Sequence, residues 1–243
     1  HQAARLGRHA LLFMATHRPK GPLQEPLVID GFESFAYSQY HPLHLNLAIG
    51  AVTGFHYAFT HSPLRRKGTM TSHQKVRREA LEATYGRPDP KAVEKGMAEA
   101  IRMSAPAPQS LEIRSDEHPA YKRAFCRLPG YAIAHRETPS TDPRTVDNDL
   151  FLVNKRDLVI RHNGANHRRE TIAFSKRDQG VVERAAIHLM LANYYAPSSV
   201  NHDRATPAMK AGVFDTPLRP EVLLKKRYFV TQVELTEEWR RYY

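Results

Sequence analysis

Two aspartates, Asp30 and Asp116, follow segments that have the composition of β-strands. Asp30 closes the apolar run 27–29, and Asp116 comes directly after the run 110–115. If those strands are neighbours in one sheet, both carboxylates project from the same edge, where they repel each other unless a cation lies between them. Carboxylate oxygens are ligands that Mg²⁺ and Mn²⁺ prefer, and a two-metal site activates a water or a 3′-hydroxyl for attack on a phosphodiester.

Either aspartate alone is explained as well by a turn or a helix cap. The pair, in a chain of this charge, favours the metal site. A third acid is expected from a helix after the last strand, and two residues compete for that role: Asp157, inside a predicted helix at 149–162, and Glu170, in a polar cluster further on. The sequence leaves both open, with a slight preference for Glu170 because its longer side chain can bind a metal through both oxygens.

The chain is strongly basic, with a formal net charge of +11 and a pI near 9.8. Its cations cluster at 61–80 and 154–178, which suits the neutralisation of DNA phosphates. An anionic membrane is a weaker match, because no Trp- and Phe-rich amphipathic face flanks these stretches. At 167–169 a solvated basic loop is an equally good interpretation. The candidates for DNA contact are Arg65, Arg66, Lys67, Arg77, Arg78, His167, Arg168, Arg169, Lys176 and Arg177.

Composition narrows the possibilities further. The 243 residues, 41% of them hydrophobic, can build one sizeable core. No apolar run approaches the roughly 18 residues that would span a bilayer. A lone cysteine, Cys126, rules out an internal disulfide and a multi-cysteine zinc site, and indicates a reducing compartment. Because the sequence starts at His1 rather than Met, we expect a preceding segment in the natural protein.

Hydrophobic periodicity predicts the elements that must position these residues. Strands are predicted at 26–37, 43–49, 55–60, 110–115 and 131–136, and helices at 72–85, 90–103, 119–127, 149–162 and 179–195. Three consecutive strands followed by alternating helices and strands are typical of the ribonuclease H-like α/β architecture. That architecture is a mixed five-stranded sheet with helices on both faces.

Several motifs of this chain resemble bacterial insertion-sequence DDE transposases. They are VIDGFESF at 28–35, SDEHPAY at 115–121, the segment 160–177 and TPAM at 206–209, so the resemblance covers about residues 25–215. It implies a ribonuclease H-like catalytic domain in which Asp30 and Asp116 are the first two ligands of Mg²⁺ or Mn²⁺. Many family members carry a glutamate before Arg-His-Asn in a helix, where this sequence has Ile160.

This resemblance also implies a division of the chain. Residues 1–24 are expected to be a basic segment and linker left from an upstream DNA-binding region, and 25–196 the catalytic domain with a basic insertion near 61–90. Residues 197–243 are expected to form a C-terminal extension.

The expected activity is phosphodiester hydrolysis and strand transfer on transposon ends and target DNA. The expected setting is a homo-oligomer, without membrane attachment, in the nucleoid-associated cytoplasm of a bacterium. A ribonuclease H-like nuclease or resolvase, and a domesticated transposase that binds DNA without cutting it, remain alternatives.

Overall fold

The computed structural model of the chain describes residues 2–168, 172–199, 204–233, 235 and 240. The strands are β1 (Leu27–Phe35), β2 (Pro42–Gly50), β3 (His56–Pro63), β4 (Ser110–Ser115) and β5 (Ala132–Glu137). The main helices are α1 (Gln2–Thr16), α2 (Ser72–Tyr85), α3 (Ala92–Ser104), α4 (Pro119–Phe125), α5 (Phe151–Asn163) and α6 (Asp178–Tyr194). Two short helices follow, α7 (Pro207–Lys210) and α8 (Pro220–Lys225), with 3-10 turns at Ala165–His167 and Val230–Gln232.

The five strands form one mixed sheet in the order β3-β2-β1-β4-β5. Short turns make β1, β2 and β3 antiparallel neighbours, whereas β1, β4 and β5 run parallel because helices connect them. This strand order and polarity confirm the predicted ribonuclease H-like α/β fold. All strands and helices predicted from periodicity are present, with small shifts in their bounds.

Side-chain alternation along β1 divides the apolar core between the two faces of the sheet. Leu27 and Ile29 pack with α3 and α4, whereas Val28 and Phe32 pack with α1, α5 and α6. Helices therefore cover both faces, as predicted. The central strand is buried on both sides, which explains why its first residues form a continuous apolar run.

The segment 1–24, expected to be a basic segment and linker, begins with a helix. Residues 2–16 form α1, whose buried face includes Ala10, Leu12 and Phe13 and packs against α6. Residues 2–16 thus belong to the core of the domain. At the crossing of the two helices a Cβ on Gly7 would overlap the side chain of Glu183 and lie 2.6 Å from its Cα.

We therefore expect Gly7→Ala to destabilise the protein by about 1 to 3 kcal/mol, because the added methyl forces α1 away from α6. Gly180, in the first turn of α6, is a matched control, since a Cβ there meets its nearest neighbours at 3.6 Å. Gly180→Ala should stabilise by up to about 1 kcal/mol, as alanine normally does in a helix. Urea denaturation of both variants measures the difference, and the same sign for both would contradict the close crossing.

Helix α2 lies in the predicted basic insertion and buries none of its side chains. Thr71 begins it with a capping box, in which its hydroxyl accepts from Gln74 and its own N–H donates to the Gln74 side chain. Glu82 ties the helix to the end of β3 by accepting two hydrogen bonds from Arg65, at 2.7 and 3.1 Å. The helix is therefore held by polar contacts at the surface of the domain.

The C-terminal extension adds to the core. Ala208 in α7 and Leu223 in α8 are 1% exposed and pack in the same cluster as α6. None of the described helices combines the length and the hydropathy needed to cross a lipid bilayer.

Candidate metal-binding site and nucleic-acid cleft

Asp30 and Asp116 meet where β1 and β4 separate. The parallel pairing aligns Leu27 with Ile113 and Val28 with Arg114, and the same offset places Asp30 beside Asp116. Beyond that point β4 has ended, while β1 continues along β2 as far as Phe35. Asp30 is therefore in the interior of a long strand rather than at its end, and Asp116 is close enough for its charge to act on Asp30.

The carboxylate of Asp30 lies in an unfavourable environment for an anion. Its Oδ1 accepts hydrogen bonds from the Gly31 N–H at 2.7 Å and from the Tyr121 hydroxyl at 3.3 Å. Burial raises the pKa of Asp30 to about 6, and the charges of Asp116 and Asp157 add to the rise, against the opposing effect of the two hydrogen bonds. A nearby cation would relieve this cost.

Asp116 is positioned by the turn that begins α4. Its Oδ1 accepts the His118 N–H at 2.9 Å, and His118 Nδ1 accepts the Ala120 N–H at 3.2 Å. His118 is thus the N-cap of α4, followed by a proline that favours helix initiation. This pair of bonds fixes the loop that presents the second carboxylate.

Asp157 is the candidate third acid that the described residues bring close. It lies in the middle of α5, where its charge reaches Asp30, and its Oδ1 accepts a 2.7 Å hydrogen bond from Arg161. The Arg161 guanidinium also stacks 5.0 Å above the ring of Phe32. Ile160, at the position of the family glutamate, is fully buried in the core. Glu170, the other candidate, lies outside the described residues.

The donor set suits a hard divalent cation. In the described part of the chain, Asp30 has hydrogen bonds from neutral donors and no ion pair, so a cation shared with Asp116 would neutralise a buried, repelled carboxylate. The described residues include no group of three or more His, Cys, Asp or Glu side chains arranged to hold a metal. The candidates for a third ligand are Asp157, which is paired with Arg161 through Oδ1, and Glu170, which lies outside the described residues.

The predicted DNA-contact residues divide into anchored and exposed sets. Arg65 and Arg78 are engaged with Glu82, which Arg78 approaches to 3.4 Å, so part of their charge is already neutralised. Arg66 is half-buried over Tyr40 at 4.9 Å. The exposed cations are Lys67, Arg77, Arg168, Lys176 and Arg177. Arg169 lies outside the described residues.

The position of His167 does not fit the predicted contact with DNA. Its ring is fully buried, lies 3.0 Å from the Ser34 hydroxyl and packs edge-on against Phe32. Burial lowers its pKa to about 3, so the imidazole is neutral. The 3-10 turn Ala165–His167 directs this side chain inward, although its sequence neighbours are basic. The prediction that His167 contacts DNA is therefore wrong.

A cleft of about 1350 Å³ opens beside His118. Its lining combines the cations Arg66, Lys67 and Arg87 with the rings of Tyr40 and Phe174. Clefts that combine positive charge with aromatic rings are suited to single nucleic-acid strands. The cleft thus adjoins the loop that carries Asp116.

Sequence reasoning missed a buried polar chain that reaches this cleft from α3. His44 lines the cleft, and its Nδ1 lies 2.9 Å from Oδ1 of Asn46, which is fully buried. Asn46 in turn bonds to Thr60 and Ser62 on β3. The alternation of β2 predicts a polar face, but not that α3 covers it. The small hydroxyl residues at matching positions of β3 were the available signal.

No protein-family model matches the sequence, and no curated protein matches it either. Among solved structures, it is similar to a chain of a simian T-cell lymphotropic virus intasome in complex with PP2A regulatory subunit B56 gamma, at 14% identity and a TM-score of 0.39. That match covers 84% of this chain and 61% of the intasome chain.

Two further matches are HTLV-2 integrase catalytic core domains in complex with magnesium. The dimeric form is 13% identical with a TM-score of 0.37, and the match covers 78% of this chain and 94% of that one. The trimeric form is 12% identical with a TM-score of 0.35, over 78% and 97%.

Proposed function

We propose that this chain is the catalytic core of a DNA transposase of the DDE type, related to bacterial insertion-sequence enzymes. The observation that carries the proposal is the register of β1 and β4, which brings Asp30 and Asp116 together at the point where the strands separate. The basic surface and the cationic cleft beside the Asp116 loop support DNA as the substrate.

In the proposed reaction the oxygen of a water attacks a phosphorus at the transposon end, and the bond from phosphorus to O3′ breaks with its electron pair remaining on O3′. The water's proton passes to solvent, and O3′ takes up a proton to become a free 3′-hydroxyl. That hydroxyl then attacks target DNA in the same way. Bound Mg²⁺ or Mn²⁺ would supply charge neutralisation and a more acidic nucleophile.

The protein's own residues have separate tasks in this scheme. Asp30 and Asp116 would hold the cation, with Asp157 or Glu170 as the third acid. Tyr121 and the Asp116 turn keep the two carboxylates in place. The exposed cations hold the DNA backbone and set a strong dependence of binding on salt. Transposon ends and target DNA as partners, a homo-oligomer and a nucleoid-associated cytoplasmic location belong to the same proposal.

A second candidate function is DNA binding without cleavage, as in a domesticated transposase. The observation that favours it is the ion pair between Arg161 and Asp157, the candidate third acid that the structure describes. The buried Ile160 at the family's glutamate position points in the same direction.

Nicking of supercoiled DNA separates the two candidates. We expect the chain to nick in Mg²⁺ or Mn²⁺, and Asp116→Asn to lower the rate by about a thousandfold or more, since it removes a metal ligand. Asp157→Asn and Glu170→Gln are compared side by side, and the one that loses activity identifies the third acid. Asp142→Asn, an exposed acid in the loop after β5, is the control and should leave the rate unchanged.

Salt-sensitive DNA binding without nicking by the wild type would reject the enzyme and favour the binding protein. Nicking that survives Asp116→Asn would reject the metal site. A resolvase or structure-selective nuclease would instead nick branched DNA in preference to a supercoiled plasmid and would join no 3′-hydroxyl to target DNA.

A further inference from the structure

The buried polar chain behind the cleft fixes the direction of each of its hydrogen bonds. Thr60 Oγ1 donates to the Gly96 carbonyl at 2.8 Å, and Ser62 Oγ donates to the Ala92 carbonyl at 2.9 Å. Each hydroxyl has one hydrogen, so both must accept from the Nδ2 group of Asn46, which lies 2.9 Å from each. The Asn46 amide is therefore oriented with Oδ1 toward His44, the neighbouring polar residue of β2.

That oxygen determines the tautomer of His44. The NH₂ group of Asn46 faces Thr60 and Ser62, so its carbonyl oxygen Oδ1 is the atom that faces His44. A carbonyl oxygen can only accept, so His44 Nδ1 at 2.9 Å must carry the proton. Burial lowers the pKa of His44 to about 4, so the ring is neutral near pH 7. Nε2 is then unprotonated and carries a lone pair that can accept a hydrogen bond.

The ring of His44 has room at the cleft floor because Gly31, a neighbouring residue of β1, has no side chain. A Cβ on Gly31 would overlap the His44 ring and lie 3.0 Å from its Nδ1. His44 is half-buried and lines the cleft, and its ring centre is 6.3 Å from that of His118. An obligate hydrogen-bond acceptor is thus fixed beside the Asp116 loop.

The other residues that line the cleft limit the chemical class of ligand that it can bind. Lys67 lies close enough to His118 for its charge to contribute to lowering the pKa of that ring. Arg66 stacks on Tyr40, so the cleft presents cations next to an aromatic ring. Two acids, Glu33 and Asp89, also line the cleft, and Asp89 is paired with Lys95 at 2.6 Å. The lone pair on His44 Nε2 repels phosphate oxygens. A ligand that fits the whole cleft must therefore carry a hydrogen-bond donor as well as phosphates.

We propose that the cleft is a subsite for one unpaired nucleotide of a bound DNA strand, in which the cations hold the phosphates and His44 Nε2 accepts a hydrogen bond from an amino group of the base. The inference rests on the proposed function for its DNA substrate, but not on cleavage. A nucleotide supplies all three features that the lining asks for: negative phosphates, a flat ring for stacking and N–H donors.

The test measures binding to labelled duplexes that differ in one single-stranded overhang, by fluorescence anisotropy in Ca²⁺ to prevent cleavage. The overhangs are adenine, purine (the same ring without the amino group) and abasic. We expect the adenine overhang to bind about tenfold more tightly than purine, the effect of one hydrogen bond, and the abasic overhang to bind most weakly because it also loses stacking.

Two variants locate the effect at His44. His44→Leu should abolish the difference between adenine and purine and keep the salt dependence that comes from phosphate contacts. His44→Gln should retain part of the difference, because its amide can donate to Asn46 and present an oxygen to the cleft. Long-range ¹H–¹⁵N NMR of the wild type reports the His44 tautomer directly and does not depend on any variant folding.

Equal binding of adenine and purine overhangs by the wild type would overturn the inference. So would a His44→Leu variant that still prefers adenine, or an NMR spectrum with the proton on Nε2. If the wild type prefers adenine but does not nick DNA, the proposed catalysis fails and the nucleotide subsite stands. If it nicks without that preference, the reverse holds.

Discussion

Asp30→Asn should abolish nicking and at the same time make the protein more stable at pH 7. The loss of activity follows from removing a proposed metal ligand, and we expect it to exceed about a thousandfold. The gain in stability follows from the cost of holding a buried anion near Asp116 and Asp157. With a pKa near 6 instead of its ordinary 3.8, this carboxyl lowers the free energy of unfolding at pH 7 by about 2 to 3 kcal/mol.

The pH dependence gives the sign of that effect. Between about pH 4 and pH 6 the folded state holds the Asp30 proton more tightly than the unfolded state, so the free energy of unfolding of the wild type falls as pH rises through this window. The Asn variant lacks this contribution. The free energies of unfolding of the two proteins, measured in urea, should therefore agree near pH 4, diverge between pH 4 and pH 6, and differ by a constant amount above pH 6, with the variant the more stable.

The same two proteins should also be compared with and without Mg²⁺, beside a control variant. Mg²⁺ should raise the melting temperature of the wild type and leave that of Asp30→Asn unchanged, because a ligand that binds the folded state stabilises it. Asp142→Asn removes an exposed acid and should alter neither activity nor stability. An Asp30→Asn variant that is less stable at pH 7 would mean that the carboxylate is a structural hydrogen-bond acceptor, and the metal site would lose its main support.

Gly96→Ala should be among the most damaging single substitutions to stability, at about 3 kcal/mol. A Cβ at this position of α3 would overlap the Ser62 hydroxyl and lie 2.6 Å from Nδ2 of Asn46. The methyl would force α3 away from the sheet and separate buried hydrogen-bond partners, two costs that add. Chemical denaturation measures the loss.

A double variant tests the cause. Ser62→Ala removes the hydroxyl that the new methyl would meet, at the cost of a hydrogen bond to Asn46. If the clash causes the loss, Gly96→Ala should cost less in the Ser62→Ala background than alone. Strict additivity of the two changes would show that the clash with the Ser62 hydroxyl is not the cause of the loss.

Local sequence patterns were enough to predict the helices and strands, but they could not predict which of these elements pack against each other. The capping signal at Thr71 and the glycine at 86 bound α2, and the apolar period of α3 lies in the short-range sequence. The helical pattern of α1 is equally local, but its partner α6 is far along the chain. For that reason its packing in the core could not be predicted from the sequence.

At the site, the same limit separates what could be predicted from what could not. Asp30 and Asp116 could be predicted because each follows a short run with the composition of a strand, and the order of the strands in the sheet places the two runs side by side. His167 was misplaced because composition cannot show that a 3-10 turn points one residue of a basic run inward. The role of His44 depends on hydroxyls of β3 and carbonyls of α3, which meet only after folding.

Helix α2 and the body of the domain respond to salt in opposite directions. The body is held by apolar burial, which excluded salts strengthen, whereas α2 buries no side chain and depends on Glu82 and its arginines. Ions weaken such surface pairs, so we expect rising ionic strength to loosen the helix from the end of β3 before the sheet unfolds. If the chain binds DNA as proposed, the DNA phosphates would compete for the same arginines, and the position of α2 would then depend on whether DNA is bound.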